Sequence, residues 1–216
     1  MPTKGMIKVT DGFERAAHWL LSGSCILLFI TGLGMMYREL HFIGNLTGGL
    51  VSLKYIHNYM GILFLISLVL ATKMWWHEAG RFEFPQDLEW IKCAGGYLWH
   101  VDKVPEIGKY NPGQKMFFLT VVIFGVLIGS TGLAMWFQPA WLSMGMLRWA
   151  YPLHALSFVV FFAFFFVHLY LGTIGNPGTV SAMISGWCTR AWVKKQHPGW
   201  LKEMEKSGKL VMYDQE

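Results

Sequence analysis

Four stretches of this sequence are apolar for about as long as a bilayer is thick, and that feature removes most of the folds open to a chain of 216 residues. A helix crosses the roughly 30 Å hydrocarbon core in about 20 residues. Residues 16–36, 55–72 and 153–171 contain no charged side chain. Another run starts at Met116 and stops near Gln138, because Pro139 cannot continue a helix. Pro152, suited to a first turn, opens the last run, and GNPG at 175–178 breaks it. Asp11 followed by Glu14 reads as a capping box for the first helix. Only 14% of the residues are charged, against about a quarter in soluble domains. The expectation is an all-α, integral membrane four-helix bundle forming a single domain over 1–216, with spans at about 15–37, 54–76, 116–138 and 152–174 and a tail at 175–216.

Several classes are set aside. The first run is too long for the apolar region of a secretory signal, and it opens on a histidine and a tryptophan. No internal repeat or low-complexity tract stands out. Cys25, Cys93 and Cys188 form neither CxxC nor CxxCH, so neither a zinc knuckle nor covalent c-type haem attachment is encoded.

The net charge of +5 reads as membrane topology. Fifteen Lys and Arg residues fall before the first span, between the second and third, or in the tail; the other two loops hold Arg38, Lys54 and Arg148. The positive-inside rule then puts both termini and the middle loop in the cytoplasm. The basic residues flank spans and form no separate domain, so a nucleic-acid partner is not expected.

With that orientation the histidines sort by depth. His57 opens the second span and His154 the fourth, both on the outer side; His18 opens the first on the inner side. His168 follows His154 by fourteen residues, close to four turns, so the two share a face about 21 Å apart. The pairs are His57 with His154 and His18 with His168. Two imidazoles facing across a bundle can hold one haem iron axially, and polar groups inside a membrane are costly and usually functional. The competing reading is a non-redox anchor whose histidines hydrogen-bond between helices. His77, twenty residues after His57 and on nearly the opposite face, is the reserve ligand.

Small residues fit the haem reading. Gly32 and Ala71 lie fourteen residues after His18 and His57, on the same faces but at the depth of the other pair. Gly125, Gly129 and Gly132 repeat at helical spacing in the third span, where glycine equally serves helix packing. The segment VPEIGKYNPGQKMFF, 104–118, leads into the third span on the inner side. Asn111 and Gln114 can donate to a carbonyl oxygen there, and Gly113 permits close approach to a flat ring.

Four features carry a resemblance over nearly the whole chain: ERAAHW at 14–19, GKYNPGQKMFF at 108–118, the helix with His154 and His168, and RAWVKKQHPGWLKEMEK at 190–206. With them the chain resembles the gamma, or cytochrome b, subunits of membrane-bound respiratory formate dehydrogenases of the nitrate-inducible type, within the prokaryotic dihaem cytochrome b family. Residues 42–53 and the second loop depart most from that pattern. The resemblance implies two haem b groups, with His57 and His154 on the periplasmic iron and His18 and His168 on the cytoplasmic one. It implies that Asn111, Gly113 and Gln114 bind menaquinone. It further implies an iron–sulfur subunit and a molybdenum or tungsten catalytic subunit as partners, a higher oligomer of that heterotrimer, and a place in the bacterial inner membrane. The same features suit the cytochrome subunit of a hydrogenase or another molybdoenzyme.

Overall fold

The computed structural model describes residues 2–102 and 104–214. Lys103, one of the basic residues counted in the middle loop, lies outside them. Four long helices dominate: α1 (Gly12–Met36), α3 (Leu50–Ala79), α5 (Pro112–Phe137) and α6 (Met144–Gly172). Each is long and apolar enough to cross a membrane. The short helices are α2 (Phe42–Leu46), α4 (Gln86–Lys92), α7 (Thr179–Ile184), α8 (Arg190–Gln196) and α9 (Pro198–Ser207). Two two-residue strands, β1 (Ile7–Lys8) and β2 (Trp187–Cys188), pair antiparallel, so the chain is mostly but not wholly helical.

Local chemistry explains the helix ends. The N–H of Glu14 donates to Asp11 Oδ1 at 2.7 Å and that of Asp11 to Glu14 Oε2 at 2.8 Å, a reciprocal capping box at the start of α1. The last long helix differs from expectation. It begins at Met144, not near 152, because Ser143 Oγ accepts from the N–H of Met146 and starts the helix a full two turns earlier. Pro152 is therefore interior, where its missing N–H costs one helical hydrogen bond.

The described residues divide into two compact units. The first holds residues 16–73 and 120–165 and is a bundle of segments from all four long helices. Its core joins Cys25 and Phe29 of α1, Phe64 and Leu68 of α3 and Phe161 of α6. Phe29 meets Phe158, Phe161, Phe162 and Phe165 edge-on, with centroids 5.1–6.0 Å apart, the arrangement that aromatic quadrupoles prefer. Close approach of α5 to α3 depends on glycine. A Cβ at Gly125 would lie 2.8 Å from Leu68 Cδ2, and one at Gly129 only 2.3 Å from Leu65 Cδ2. Those two glycines of the third span thus serve helix packing.

The second unit contains residues 74–119, the chain from 166 onward and the residues before 16. The tail is folded. Ile7 and Cys188 of the strand pair bury with Ala182, Val193 and Leu201. The loop after α3 packs with it: the N–H of Gly199 donates to the Ile107 carbonyl at 3.1 Å, and Lys202 Nζ to Glu106 Oε1 at 2.6 Å.

Candidate functional site

His57 on α3 and His154 on α6 face each other within the first unit, with ring centroids 6.4 Å apart and planes at 65°. Neighbouring helices supply matching supports. Thr31 Oγ1 of α1 lies 2.8 Å from His57 Nδ1, and Thr131 Oγ1 of α5 lies 3.1 Å from His154 Nδ1. Each threonine hydroxyl donates to the carbonyl four residues back, Leu27 and Leu127, at 2.7 Å. With its one hydrogen committed, each Oγ1 offers a lone pair to the imidazole, so Nδ1 carries the ring proton. His154 Nδ1 also donates to the Ile128 carbonyl at 2.9 Å. The Ile128 carbonyl can only accept, so His154 is held as the Nδ1–H tautomer; assigning the Thr31 hydrogen to Leu27 gives His57 the same tautomer, and Nε2 is then the lone pair each ring offers a metal.

The glycines next in sequence clear space for the rings. A Cβ on Gly32 would sit 3.3 Å from His57 Cε1, and one on Gly132 3.3 Å from His154 Cε1. Ala71, the other small residue of interest, is buried.

This arrangement fits haem b. Among the described residues no three of His, Cys, Asp and Glu converge on a metal position. Two axial imidazoles suit an iron whose other four ligands come from a porphyrin. Nitrogen ligands sit about 2 Å from a metal. The 6.4 Å between the ring centroids is wide enough for His57 and His154 to hold one metal ion between them.

His18 and His168 fall in different units. His18 is half-buried and meets Trp19 edge-on at 5.1 Å. His168 is exposed and stacks on Phe117 of α5, with centroids 4.4 Å apart and planes 3° from parallel. His77 is exposed in the last turn of α3.

Asn111, Gly113 and Gln114 come together at the start of α5. The N–H of Gln114 donates to Asn111 Oδ1 at 2.8 Å and that of Asn111 to Gln114 Oε1 at 2.9 Å, a second reciprocal cap. The carboxamide oxygens thus serve the helix, while both NH2 groups stay uncommitted among the described residues. Gly113 lies against a flat ring, that of Trp90: a Cβ there would be 3.3 Å from its Cη2. Lys115 Nζ donates to Asp87 Oδ2 at 2.7 Å, both side chains being buried. Lys109 Nζ bridges Glu14 at 3.3 Å and Glu78 at 3.0 Å. Beside these carboxylates Tyr110 is half-buried, and desolvation first, then their charge, raises its pKa.

Thr31, Thr131 and Gly132 are not singled out as a set by helical spacing or by depth. A signal was present: TGLGM at 31–35 and TGLAM at 131–135 repeat in α1 and α5, and each brings its Thr-Gly pair to one histidine.

Four membrane-length helices and a facing histidine pair define a multi-pass membrane protein of cytochrome b type. A family model for prokaryotic cytochrome b561 matches residues 9–186, and the chain belongs to that family. Among curated relatives, it is 30% identical over 197 residues to the formate dehydrogenase cytochrome b556(fdo) subunit of Escherichia coli strain K12, covering 90% of this chain and 91% of that protein. It is 29% identical over 192 residues to the formate dehydrogenase cytochrome b556 subunit of Haemophilus influenzae, covering 88% and 79%. To the nitrate-inducible cytochrome b556(Fdn) subunit of Escherichia coli strain K12 it is 26% identical over 210 residues, covering 96% and 95%.

Proposed function

We propose that the chain is the dihaem b-type cytochrome subunit of a formate dehydrogenase in the bacterial inner membrane, carrying electrons from a periplasmic iron–sulfur subunit to menaquinone near the cytoplasmic side. The observation that carries this reading is the His57–His154 pair, held with Nε2 available on both rings. Haem b, when bound, supplies one-electron iron chemistry.

The residues divide the work. His57 and His154 hold the periplasmic haem, with Gly32 and Gly132 leaving room beside them. His18 and His168 hold the cytoplasmic one, a reading supported by the fourteen-residue spacing of His154 and His168 along α6. Asn111, Gly113 and Gln114 form the quinone site: Asn111 and Gln114 donate amide hydrogens to a quinone carbonyl, and Gly113, which packs against the Trp90 ring, holds the start of α5 beside it. Termini and middle loop in the cytoplasm, as the basic residues imply, let the quinone take its protons there while electrons enter from outside, which separates charge without a pump. A molybdenum or tungsten subunit oxidises formate, and the heterotrimer forms a higher oligomer.

Optical spectra of purified His→Ala variants test this. His57→Ala and His154→Ala should lose one and the same haem, and His18→Ala and His168→Ala the other. Equal loss of both haems from every folded variant, or no b-type haem at all in the parent chain, refutes it. Co-purification with mass spectrometry identifies the dehydrogenase partner.

A further inference from the structure

The two Thr-Gly pairs support their histidines unequally. Among the described residues, the Nδ1–H of His57 has one acceptor, Thr31 Oγ1 at 2.8 Å. That of His154 has two, Thr131 Oγ1 at 3.1 Å and the Ile128 carbonyl at 2.9 Å. The hydroxyls are otherwise equivalent, each donating to a carbonyl one turn back at 2.7 Å. An acceptor at Nδ1 draws the ring proton away and makes Nε2 a stronger donor, which favours the oxidised iron.

We infer that Thr31 and Thr131 are positioning residues that fix the ligand tautomer and lower the haem potential, with Thr31 dominant because His57 has no second acceptor. This rests on the reading of His57 and His154 as axial ligands. Thr31→Val keeps the shape and removes the acceptor, leaving the His57 Nδ1–H without a partner in an apolar bundle. Thr131→Val leaves His154 still bonded to Ile128. The backbone carbonyl is the firmer anchor, since no side-chain substitution removes it.

The test is a redox titration of the haem that His57→Ala removes, in the intact complex, following its absorbance. In Thr31→Val the ratio of reduced to oxidised haem at a fixed ambient potential should rise by roughly tenfold, equivalent to about 59 mV for a one-electron couple. Thr131→Val should shift it clearly less. Thr31→Ser, which keeps the hydroxyl and deletes the methyl, should match the parent. Loss of this haem from Thr31→Val with retention and a parental potential in Thr31→Ser also supports the hydroxyl role. An unchanged potential in Thr31→Val, a shift as large in Thr131→Val, or equal damage from Thr31→Ser overturns the inference. Absence of b-type haem from the parent overturns the ligand assignment instead, so the two failures are distinct.

Discussion

Lys115 reaches Asp87 across 2.7 Å, and each side chain is only 3% exposed. Asp87 Oδ2 accepts a second bond, from the N–H of Glu83 at 2.7 Å, which ties the loop after α3 to the first turn of α5. A buried pair is weak evidence for net stability, but removing one partner strands the other charge, at a cost of about 3–5 kcal/mol. Lys115→Met should therefore lower the unfolding temperature of the detergent-purified protein sharply, and Asp87→Asn should do so less. The double variant should recover much of the loss. If the double variant is as unstable as the sum of the singles, the residues do not act as a pair.

The clearance at the facing histidines gives a second expectation. Gly32 and Gly132 already place an imagined Cβ 3.3 Å from a histidine Cε1, tighter than most real contacts. On the proposed dihaem reading, Gly32→Leu should lower occupancy of the haem assigned to His57 and His154 well below half and leave the other haem in place. Gly132→Leu should do the same, and Ala71→Leu should instead affect the other haem. Haem content by absorbance, in stably inserted protein, decides each case. Normal content of both haems in Gly32→Leu would reject the clearance role.

Much of this was legible because it depends on period and length. The four spans follow from apolar runs that a bilayer forces into helices, and the Asp11–Glu14 cap from a three-residue spacing. Facing of His57 and His154 follows from depth alone. What escaped the sequence depends on contacts between helices. Helical spacing alone does not separate Gly125, which meets Leu68, from Gly132, which meets a histidine; only the Thr-Gly repeat shared with α1 marks Gly132 in the sequence. The start of α6 is not legible in the sequence, because Pro152 suits a first turn while the cap comes from Ser143, nine residues earlier. The folded tail was missed because its core draws Ile7 from the other end of the chain.

His197 supplies a pH dependence outside the membrane spans. It is 4% exposed and tilts against Trp192 with centroids 5.0 Å apart. Burial lowers its pKa to about 4; hydrogen bonding to backbone of Lys109 and Gly108 opposes the shift, and the Lys109 charge adds to it. Its ordinary value in an unfolded chain is about 6.5. The folded state thus excludes a proton that the unfolded state binds. Stability from this group is complete above about pH 6.5 and is lost as pH falls toward 4, by on the order of 3 kcal/mol in all. Tail docking, followed by limited proteolysis between pH 7 and 4.5, should weaken over that window. His197→Phe should flatten the dependence. An identical pH profile in that variant would assign the effect to other groups.

The reciprocal cap at Asn111 and Gln114 makes alanine a poor probe of quinone binding. Asn111→Ala removes both the amide donor and an N-cap acceptor, and loss of such a cap alone costs about 0.5–2 kcal/mol. Asn111→Asp and Gln114→Glu separate the roles. Each keeps the acceptor oxygen that caps α5, and a negative charge there suits the helix N-terminus. Each also exchanges the NH2 donor for an acceptor, which repels a quinone carbonyl. If these residues hold the quinone, both substitutions leave the fold and both haems intact but slow haem reoxidation by a menaquinone analogue. Loss of one neutral hydrogen bond, about 1–1.5 kcal/mol, corresponds to roughly tenfold. The haem dependent on His168 should then stand more reduced at steady state. If reoxidation is normal in Asn111→Asp and slow only in Asn111→Ala, the residue is a helix cap and the quinone binds elsewhere. Slowing by substitutions near Trp141 or Trp149, in the α5–α6 connection and the first turns of α6, would place the quinone on the opposite face and end the charge-separation argument.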